Sequence, residues 1–375
     1  MELYVHIPFC IRKCNYCDFL SFPSCEEERE AYVEALCQEI IESGKMALDQ
    51  KLRSIFIGGG TPSILTIGQM RRILSCVREN FQMEEQIEIS MEANPGTLNE
   101  EKLKAYHDMG INRLSIGLQS TEDDCLKMLG RIHNFDQFKE NYQWAREAGF
   151  QNVNIDIMSA LPGQTISSYK KTLETVLAFE PEHISSYSLI LEEGTPFYED
   201  DNLIAQLPDE DSERTMYEMT QELLMQKGYH RYEISNYSKE GKECIHNLGY
   251  WDDVPYLGVG LGASSYWRGC RFSNERDLST YIKKPFIPPE EREDFQKLSL
   301  EEKMEEYMFL GLRKRSGVSI SGFSQKYGVS MEEIFGKVID RYKKIKLLEE
   351  KEDRLYLTDA GIDVSNHIFC EFLIK

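Results

Sequence analysis

Short β-rich runs that alternate with helical patterns constrain the fold of this chain more than any other feature. The runs begin at Leu3, Ser54, Ile87, Arg113, Asn152 and His183. Between the first two, the periodicity over residues 27–43 predicts a helix that Gly44 is placed to end. Its apolar face comprises Tyr32, Val33, Leu36 and Ile40. Alternation at this spacing predicts βαβ units around a parallel sheet.

Six such units are too few for a complete eight-fold barrel. We therefore expect an α/β fold with an open or partial (β/α)6 barrel over residues 1–228. In parallel sheets of this kind, ligands bind at the carboxyl ends of the strands. We therefore expect the functional site of this chain at the carboxyl ends of its strands.

The amino-acid composition of the chain changes at Tyr229. Residues 229–284 form an aromatic-rich extension, predicted to be irregular and to pack on the barrel mouth. Residues 285–297 carry three prolines and a charge run, which is typical of a linker. Residues 298–375 scan as helix–turn–helix followed by a hairpin, which predicts a C-terminal winged-helix-like α domain. That domain is interpreted as a lid or docking module, with DNA binding as the alternative.

The charge of the chain limits its partners. There are 43 Lys and Arg residues against 64 Asp and Glu, a formal net charge of −21. Such an excess repels phosphate backbones, so we expect no nucleic-acid partner. No apolar run reaches the roughly 18 residues of a membrane span, so no integral membrane segment is expected. The N-terminus has no secretory signal, which predicts a cytoplasmic protein.

Three cysteines cluster in "HIPFCIRKCNYCDFLSF", at Cys10, Cys14 and Cys17. A structural zinc site wants four ligands. Three thiolates can instead bind three irons of a [4Fe–4S] cube and leave the fourth iron open to an exchangeable ligand. The alternative is a zinc site completed by His6 or Asp18.

The other seven cysteines are scattered. In a reducing cytosol they are expected to act as ordinary small apolar residues. They are Cys25, Cys37, Cys76, Cys125, Cys244, Cys270 and Cys370.

The cysteine run, with Tyr16 just before Cys17, resembles the radical S-adenosylmethionine (SAM) superfamily. In that superfamily the amino and carboxylate groups of SAM bind the open iron. The resemblance therefore implies a [4Fe–4S] cluster and SAM as cofactors. It also implies that an electron from the cluster cleaves SAM to a 5′-deoxyadenosyl radical, which the protein positions and shields.

Polar residues at other strand ends suit such a cofactor. The run "GGGTP" over 58–62 lets backbone groups approach a ligand, although a tight turn explains it equally well. Glu92, Gln119, Arg131 and Asp156 lie at or just beyond apolar strands on successive units. Any one of them is expected to be a cap, but four together indicate a polar ligand. The carboxylates suit ribose hydroxyls or an amino group, and Arg131 suits a carboxylate through a bidentate fork.

The motifs "YVHIPFC", "GGGTP", "EANPGT", "GLQS", "DIMSALPGQT" and "YEISNYS" together resemble the anaerobic coproporphyrinogen III oxidase family, which includes a HemW-like branch of heme chaperones. The likeness covers nearly the whole chain. It implies SAM contacts at Tyr4, Tyr16, Gly59, Gly60, Thr61, Glu92, Gln119, Arg131 and Asp156.

Three features favour the chaperone branch over the oxidase. The oxidase has a further cysteine two positions after the third cluster cysteine, where this chain has Phe19. The oxidase also has an N-terminal extension, whereas the first strand here starts at Leu3. Finally, "HNLGYW" at His246 to Trp251 matches the H-N-x-x-Y-W signature of the chaperones.

This signature implies heme as a further ligand, with His246 as the candidate ligand of the heme iron. Imidazole is a common axial ligand, and Tyr250 and Trp251 can stack on the porphyrin while Asn247 orients a propionate or the imidazole. A buried loop whose histidine hydrogen-bonds to backbone is the structural alternative. His230, Tyr250 and Cys244 are rival iron ligands.

The resemblance implies a heme chaperone that binds heme and a SAM-ligated [4Fe–4S] cluster and transfers heme to acceptor proteins, including respiratory and membrane-bound ones. The alternative is an enzyme, an oxygen-independent coproporphyrinogen III oxidase that decarboxylates coproporphyrinogen III to protoporphyrinogen IX. A DNA-binding regulator is the third hypothesis.

Overall fold

A computed structural model describes residues 1–374. Six strands form the barrel: β1 (Glu2–Ile7), β2 (Lys51–Gly59), β3 (Gln82–Ala93), β4 (Arg113–Gln119), β5 (Val153–Ser159) and β6 (His183–Ser188). They pair in parallel and in sequence order. The predicted partial (β/α)6 barrel is confirmed.

Helices follow the strands on the outer face. They are α1 (Glu26–Met46), α2 (Ile67–Asn80), α3 (Glu100–Asp108), α4 (Asp123–Met128), α5 (Phe135–Glu147), α6 (Ile166–Leu177), α7 (Asp201–Ile204) and α8 (Glu210–Gln226). Several begin at a side-chain cap: Thr66, Asn134 and Thr165 each accept a backbone N–H from the first turn that follows. None of the helices over residues 1–374 is long and apolar enough to cross a membrane.

The predicted apolar face of α1 is buried, but the helix does not end at Gly44. It continues to Met46. A Cβ at Gly44 would lie 2.6 Å from the backbone oxygen of Asn80, at the end of α2. Glycine is therefore required here by close helix packing rather than by a helix end.

The aromatic-rich extension adds to the sheet instead of forming a loop over the mouth. It contains β7 (His230–Arg231), β8 (Asn236–Ser238), α9 (Ile245–Trp251), β9 (Tyr256–Val259), β10 (Ser264–Trp267), β11 (Cys270–Ser273) and α10 (Leu278–Lys283). Strand β9 pairs in parallel with β1, and β8 pairs antiparallel with β6. With β12 (Gln296–Lys297) the sheet has 12 strands.

The position of α9 corrects the prediction that this extension covers the barrel mouth for the motif helix only, because Gly262 in another part of the extension packs closely against Leu20 of the chain segment that follows β1. The side chain of His246 lies against Ser54, where β2 begins to pair with β1, and against Glu2 at the start of β1. These are the amino ends of the strands. We call this end, with α9, the floor, and the carboxyl ends of β1 to β6 with their loops the mouth.

The segment predicted to be a linker is packed rather than free. Pro289 is buried, and Phe295 contacts the main core. The Arg292 guanidinium donates from Nε to the backbone oxygen of Ile287 at 3.0 Å and lies over the ring of Phe272. This segment therefore packs against the barrel ahead of the C-terminal domain.

The C-terminal domain has the predicted winged-helix-like order. It comprises α11 (Leu300–Gly311), β13 (Val318–Ser319), α12 (Ile320–Tyr327), α13 (Met331–Lys344), β14 (Leu348–Lys351), β15 (Arg354–Leu357), α14 (Asp359–Asp363) and α15 (Ser365–Cys370). The three strands form a separate sheet, and the domain has its own apolar core.

This domain packs at the floor, so the structure does not place it as a lid over the mouth, and its interpretation as a docking module stays a prediction. Asp252 and Asp253 directly follow α9. Lys314 pairs with Asp252, and Lys326 Nζ lies 2.6 Å from Asp253 Oδ2. The Arg313 guanidinium lies over the ring of Trp251, 5.1 Å from its centre. The C-terminal domain therefore contacts α9 and the residues that follow it, rather than the cysteine loop.

Candidate functional site

The cysteine loop, residues 8–25 after β1, borders a cavity of about 140 Å³ at the mouth. All three clustered cysteines line it. The other lining residues are Arg12, Tyr16, Phe19, Ser21, Gly59, Gly60, Thr61, Glu92, Ala93, Asn94, Ser115, Gly117, Gln119, Arg131, Asp156 and Tyr187. The strands of all six barrel units or the loops after them therefore converge on one space.

The cysteine loop is fixed by backbone contacts. Asn15 N donates to the backbone oxygen of Leu129 at 3.0 Å, and Arg12 Nη2 donates to that of Gly130 at 2.8 Å. Cys10 N donates to Phe22 O at 3.0 Å, which closes the loop on itself. The sulfur atoms are thus held before any ligand arrives, which reduces the entropic cost of binding.

The thiols have few internal partners. Thr61 Oγ1 donates to Cys10 Sγ at 3.4 Å, and Arg131 Nη1 donates to Cys14 Sγ at 3.6 Å. Burial raises the pKa of the Cys10 and Cys17 thiols. Such thiols ionise when a metal centre supplies positive charge, so their placement suits metal ligation.

The glycine run packs against the cysteine loop. A Cβ at Gly60 would lie 2.8 Å from Phe9 O and 3.1 Å from Cys10 Sγ. The backbone N–H groups of Gly60 and Thr61 donate to Ile7 O and Phe9 O, both at 2.8 Å. The loop therefore already uses these two N–H groups, and the approach of other backbone groups of the run to a ligand stays a prediction.

Two partly buried carboxyls face the cavity, Glu92 from β3 and Asp156 from β5. Glu92 Oε2 accepts from Gly59 N at 2.9 Å, and burial together with nearby Asp156 raises the pKa of Glu92 to about 8. Asp156 accepts from Ser115 Oγ at 3.1 Å and from Asn154 Nδ2 at 2.7 Å, and burial raises its pKa too. At neutral pH, protonated Glu92 can donate a hydrogen bond while Asp156 accepts.

Arg131 connects the cavity to the cysteine loop. Its Nη2 donates to Gly117 O at 2.6 Å and to Asn94 Oδ1 at 2.9 Å, while Nη1 faces Cys14. Both terminal nitrogens of Arg131 are therefore engaged within the protein, so in this conformation the guanidinium lacks the free pair of N–H donors that was expected to bind a carboxylate. Instead the guanidinium places a fixed positive charge beside the Cys14 sulfur.

Gln119 ends β4 in a left-handed conformation, with φ of 70°. The strand register shifts between Gly117 and Gln119, which turns the glutamine side chain toward the cavity. Its Oε1 accepts from Tyr187 OH at 3.0 Å. Tyr187 and Tyr16 both contact a small apolar cluster that forms this wall.

Tyr4 does not line the cavity. Its hydroxyl is 2.9 Å from His6 Nδ1, and its ring stacks on Phe56 at 6.3 Å between centroids. Of the nine predicted SAM contacts, the cavity contains all except this one. A SAM contact through Tyr4 stays a prediction.

The zinc alternative lacks its fourth ligand. His6 uses both ring nitrogens inside the protein, Nδ1 with Tyr4 and Nε2 with Leu20 O at 3.0 Å. Asp18 is exposed and outside the cavity lining. Among residues 1–374, no three His, Cys, Asp or Glu side chains are grouped to hold one metal ion. Thiolates spread around a cavity fit a cube, in which each binds a different iron.

The floor is built differently. Glu88 caps α9, because its carboxylate accepts from Ile245 N at 3.1 Å and from His246 N at 3.3 Å. The His246 ring is 1% exposed and stacks on Phe56 at 5.2 Å. Its Nδ1 is 2.9 Å from Ser54 Oγ, and its Nε2 is 2.9 Å from Tyr250 OH.

These contacts leave His246 no free nitrogen. Burial, helped by the cations of Arg53 and Arg113, lowers the pKa of His246 to about 3, so the ring is neutral. Binding of heme iron by this ring requires both hydrogen bonds to break. The residues of H-N-x-x-Y-W therefore do not fit a heme ligand set in this conformation, and Trp251 serves as a contact for the C-terminal domain.

The rival iron ligands are also engaged. Cys244 is fully buried, its Sγ lies 3.5 Å from Glu88 Oε1, and burial raises its pKa to about 12. His230 is partly exposed, and its Nε2 lies 2.6 Å from Glu243 Oε1. Tyr250 is bonded to His246.

Comparison with known proteins assigns the family. Residues 4–176 match the model of the radical SAM superfamily, and residues 298–364 match the HemN C-terminal domain. Heme chaperone HemW of Lactococcus lactis is 39% identical over 372 residues, which is 99% of this chain and 97% of that protein. The chain belongs to the HemW family. Heme chaperone HemW of Bacillus subtilis is 38% identical over 375 residues, with 99% and 98% covered.

The fold of this HemW family member is also that of a solved relative. The structure of coproporphyrinogen III oxidase (HemN) from Escherichia coli, described as a radical SAM enzyme, aligns with a TM-score of 0.86. The two are 25% identical, and the alignment covers 99% of this chain and 89% of that one. The resemblance read from the motifs is confirmed.

Sequence reasoning missed several cavity residues of the HemW family chain. Asn94 lies inside the quoted motif "EANPGT", and Ser115 lies in the β-rich run that begins at Arg113. Tyr187 lies near the end of the last barrel strand, β6, in "SSYSLI". A polar side chain inside an otherwise apolar strand, such as Ser115, was the available signal.

Proposed function

We propose that the protein is a cytoplasmic heme chaperone that holds a [4Fe–4S] cluster and SAM at the mouth and delivers heme to acceptor proteins. The observation that carries this proposal is the 39% identity to a heme chaperone over 99% of the chain. Several further relatives that bear the same name are 38 to 40% identical.

Cys10, Cys14 and Cys17 would hold three irons, which leaves the fourth for SAM. When bound, the pair supplies one-electron chemistry at the sulfonium of SAM. The chain's own residues orient the ligand: protonated Glu92 donates, and Asp156 accepts from hydroxyl or amino groups. Arg131 holds a positive charge at Cys14, which offsets the negative charge of the thiolate-bound cluster.

The second candidate is an oxygen-independent coproporphyrinogen III oxidase, favoured by the TM-score of 0.86 to such an enzyme. Phe19 argues against it, because it occupies the position where the motif comparison places a further cysteine of the oxidase. Its side chain is 64% exposed at the cavity edge. A thiol ligand or donor is replaced there by an apolar ring.

Acceptors of the heme would include membrane-bound respiratory proteins, reached by transient contact. The strong negative charge of the chain opposes adsorption to anionic lipid, so recognition of the acceptor would depend on protein contacts. The C-terminal domain packs on the floor, and this placement would leave the mouth to such partners.

Two assays on one anaerobic, cluster-loaded preparation test the proposal. Hemin titration should give a saturable Soret change near one heme per chain. Incubation with coproporphyrinogen III, SAM and a reductant should give no protoporphyrinogen IX. Sustained turnover would overturn the chaperone assignment, and so would failure to bind hemin.

A further inference from the structure

We propose that heme binds on the rim of the mouth, between the cysteine loop and the loop after β6, and not at the H-N-x-x-Y-W helix on the floor. This inference rests on the proposed heme function. It assigns the heme seat to exposed apolar side chains and to cations that have no carboxylate partner in the part of the chain that the structure describes.

The rim carries large apolar side chains that face solvent. On the cysteine loop these are Ile11 and Phe19, and on the 189–200 loop they are Ile190 and Tyr198, all between 47% and 68% exposed. The two loops touch, since Phe197 N donates to Asn15 O at 3.1 Å. Heme is a flat ring system with apolar faces, and burying such side chains under it is favourable.

The rim is continuous with the cavity beneath it. Phe19 and Arg12 line the cavity and are also exposed. Tyr16 and Tyr187 form the inner wall and contact the apolar cluster that supports the 189–200 loop. A heme seated here would lie directly above the cluster site.

The charges on the rim fix an orientation for the two heme propionates. Arg12 and Lys13 donate only to backbone oxygens, those of Gly130, Arg131 and Phe19. Neither forms an ion pair with a carboxylate of residues 1–374, in a chain of net charge −21. The opposite loop carries Glu192 and Glu193. The propionates should therefore lie on the cysteine-loop side.

The floor offers no comparable seat. His246 is 1% exposed and hydrogen-bonded at both ring nitrogens. Trp251 and Asp252 contact the C-terminal domain through Arg313 and Lys314. Entry of heme would have to displace these contacts, whereas the rim is open.

Hemin titration of four double variants, each first checked for cluster absorbance, tests the seat. Phe19→Ser with Ile190→Ser should weaken hemin binding by about tenfold or more, because two apolar contacts are lost. Its control is Leu48→Ser with Ile345→Ser, which are 69% and 56% exposed away from the mouth. Arg12→Glu with Lys13→Glu should also weaken binding. Its control, Lys337→Glu with Lys344→Glu, makes the same charge change on α13.

His246→Gln is the competing variant, because glutamine can keep hydrogen bonds to Ser54 and Tyr250 but does not replace imidazole as an iron ligand. We expect the Soret maximum and affinity of this variant to match the wild type. If His246→Gln loses the Soret band while the rim variants bind normally, the rim seat is wrong and the floor motif is the heme site. If the wild-type protein binds no hemin, the proposed heme function itself fails.

Discussion

The mouth and the floor of the barrel both carry buried polar and aromatic side chains, but these groups have different partners. At the mouth, thiols and carboxyls surround a cavity of about 140 Å³. At the floor, the His246 nitrogens bond to Ser54 and Tyr250, and Glu88 caps the helix. The comparison teaches that a motif of ligand-type residues can serve packing at one end of a barrel and ligand binding at the other. The five predictions below test this division, from the largest effect to the smallest.

Cys14→Ala should remove the visible absorbance of the cluster and most of the bound iron. The remaining two thiolates leave two irons without protein ligands. Iron analysis of anaerobically reconstituted protein measures this, and Cys370→Ala, an exposed cysteine in α15, is the control. Equal iron in both variants would refute the cluster assignment at the mouth.

His246→Ala should lower the free energy of unfolding by about 3 kcal/mol, because a buried ring is lost and two hydrogen bonds are broken. Urea unfolding of the apo protein measures it. His230→Ala, which alters a partly exposed histidine, should change stability by less than about 0.5 kcal/mol. If His246→Ala lowers the free energy of unfolding no more than His230→Ala does, the structural role of the motif is contradicted.

Gly60→Ala should destabilise the cysteine loop by about 2 kcal/mol, because the new Cβ clashes with backbone atoms of the loop. A Cβ here would lie 2.8 Å from Phe9 O. We also expect less iron per chain after reconstitution. Gly68→Ala, in α2 with no close neighbour, should instead gain about 0.5 kcal/mol. The two changes having the same sign would refute the close packing of this glycine.

Glu2 makes the floor sensitive to pH. Burial raises its pKa to about 8 despite the nearby Arg53, so its protonated form is favoured in the folded state. The stability of the wild type relative to Glu2→Gln should be greatest below pH ~5 and should fall steadily as the pH rises to ~8, because the unfolded chain releases the Glu2 proton at lower pH than the folded state does. Unfolding curves across that range measure it, with the exposed Glu85→Gln as the control. A pH-independent difference would show that Glu2 titrates normally.

Substitution of the ion pair between Arg271 and Glu306 should have the smallest effect on stability. Their two contacts, at 2.7 and 2.8 Å, join β11 to α11 in a partly buried bidentate pair. A double-mutant cycle with alanine should give a coupling energy of about 1 kcal/mol. A coupling energy of zero would mean that docking of the C-terminal domain depends on the α9 contacts instead.

The sequence predicted the barrel because period and spacing directly reflect local structure. Tyr32, Val33, Leu36 and Ile40 fall on one helical face and are buried. The cavity was predictable for a similar reason. Parallel strands bring their carboxyl ends together, so Glu92, Gln119 and Asp156 had to converge once the sheet order was right.

The place of α9 was not predictable from the same signals. The sequence separates His246 from Ser54 by 192 residues, and the contact depends on how the extension returns beneath the barrel. Aromatic and amide side chains look alike whether they face a ligand or a core. For the same reason, the sequence did not reveal that the backbone of the glycine run and the Arg131 guanidinium were already engaged by the protein.

Hydrogen–deuterium exchange of the cluster-loaded protein, with and without SAM and hemin, tests most directly whether ligands bind at the mouth. The account predicts added protection in the cysteine loop and in residues 189–200, with exchange in residues 245–251 unchanged. Protection confined to 245–251, with both mouth loops exchanging as before, would contradict it.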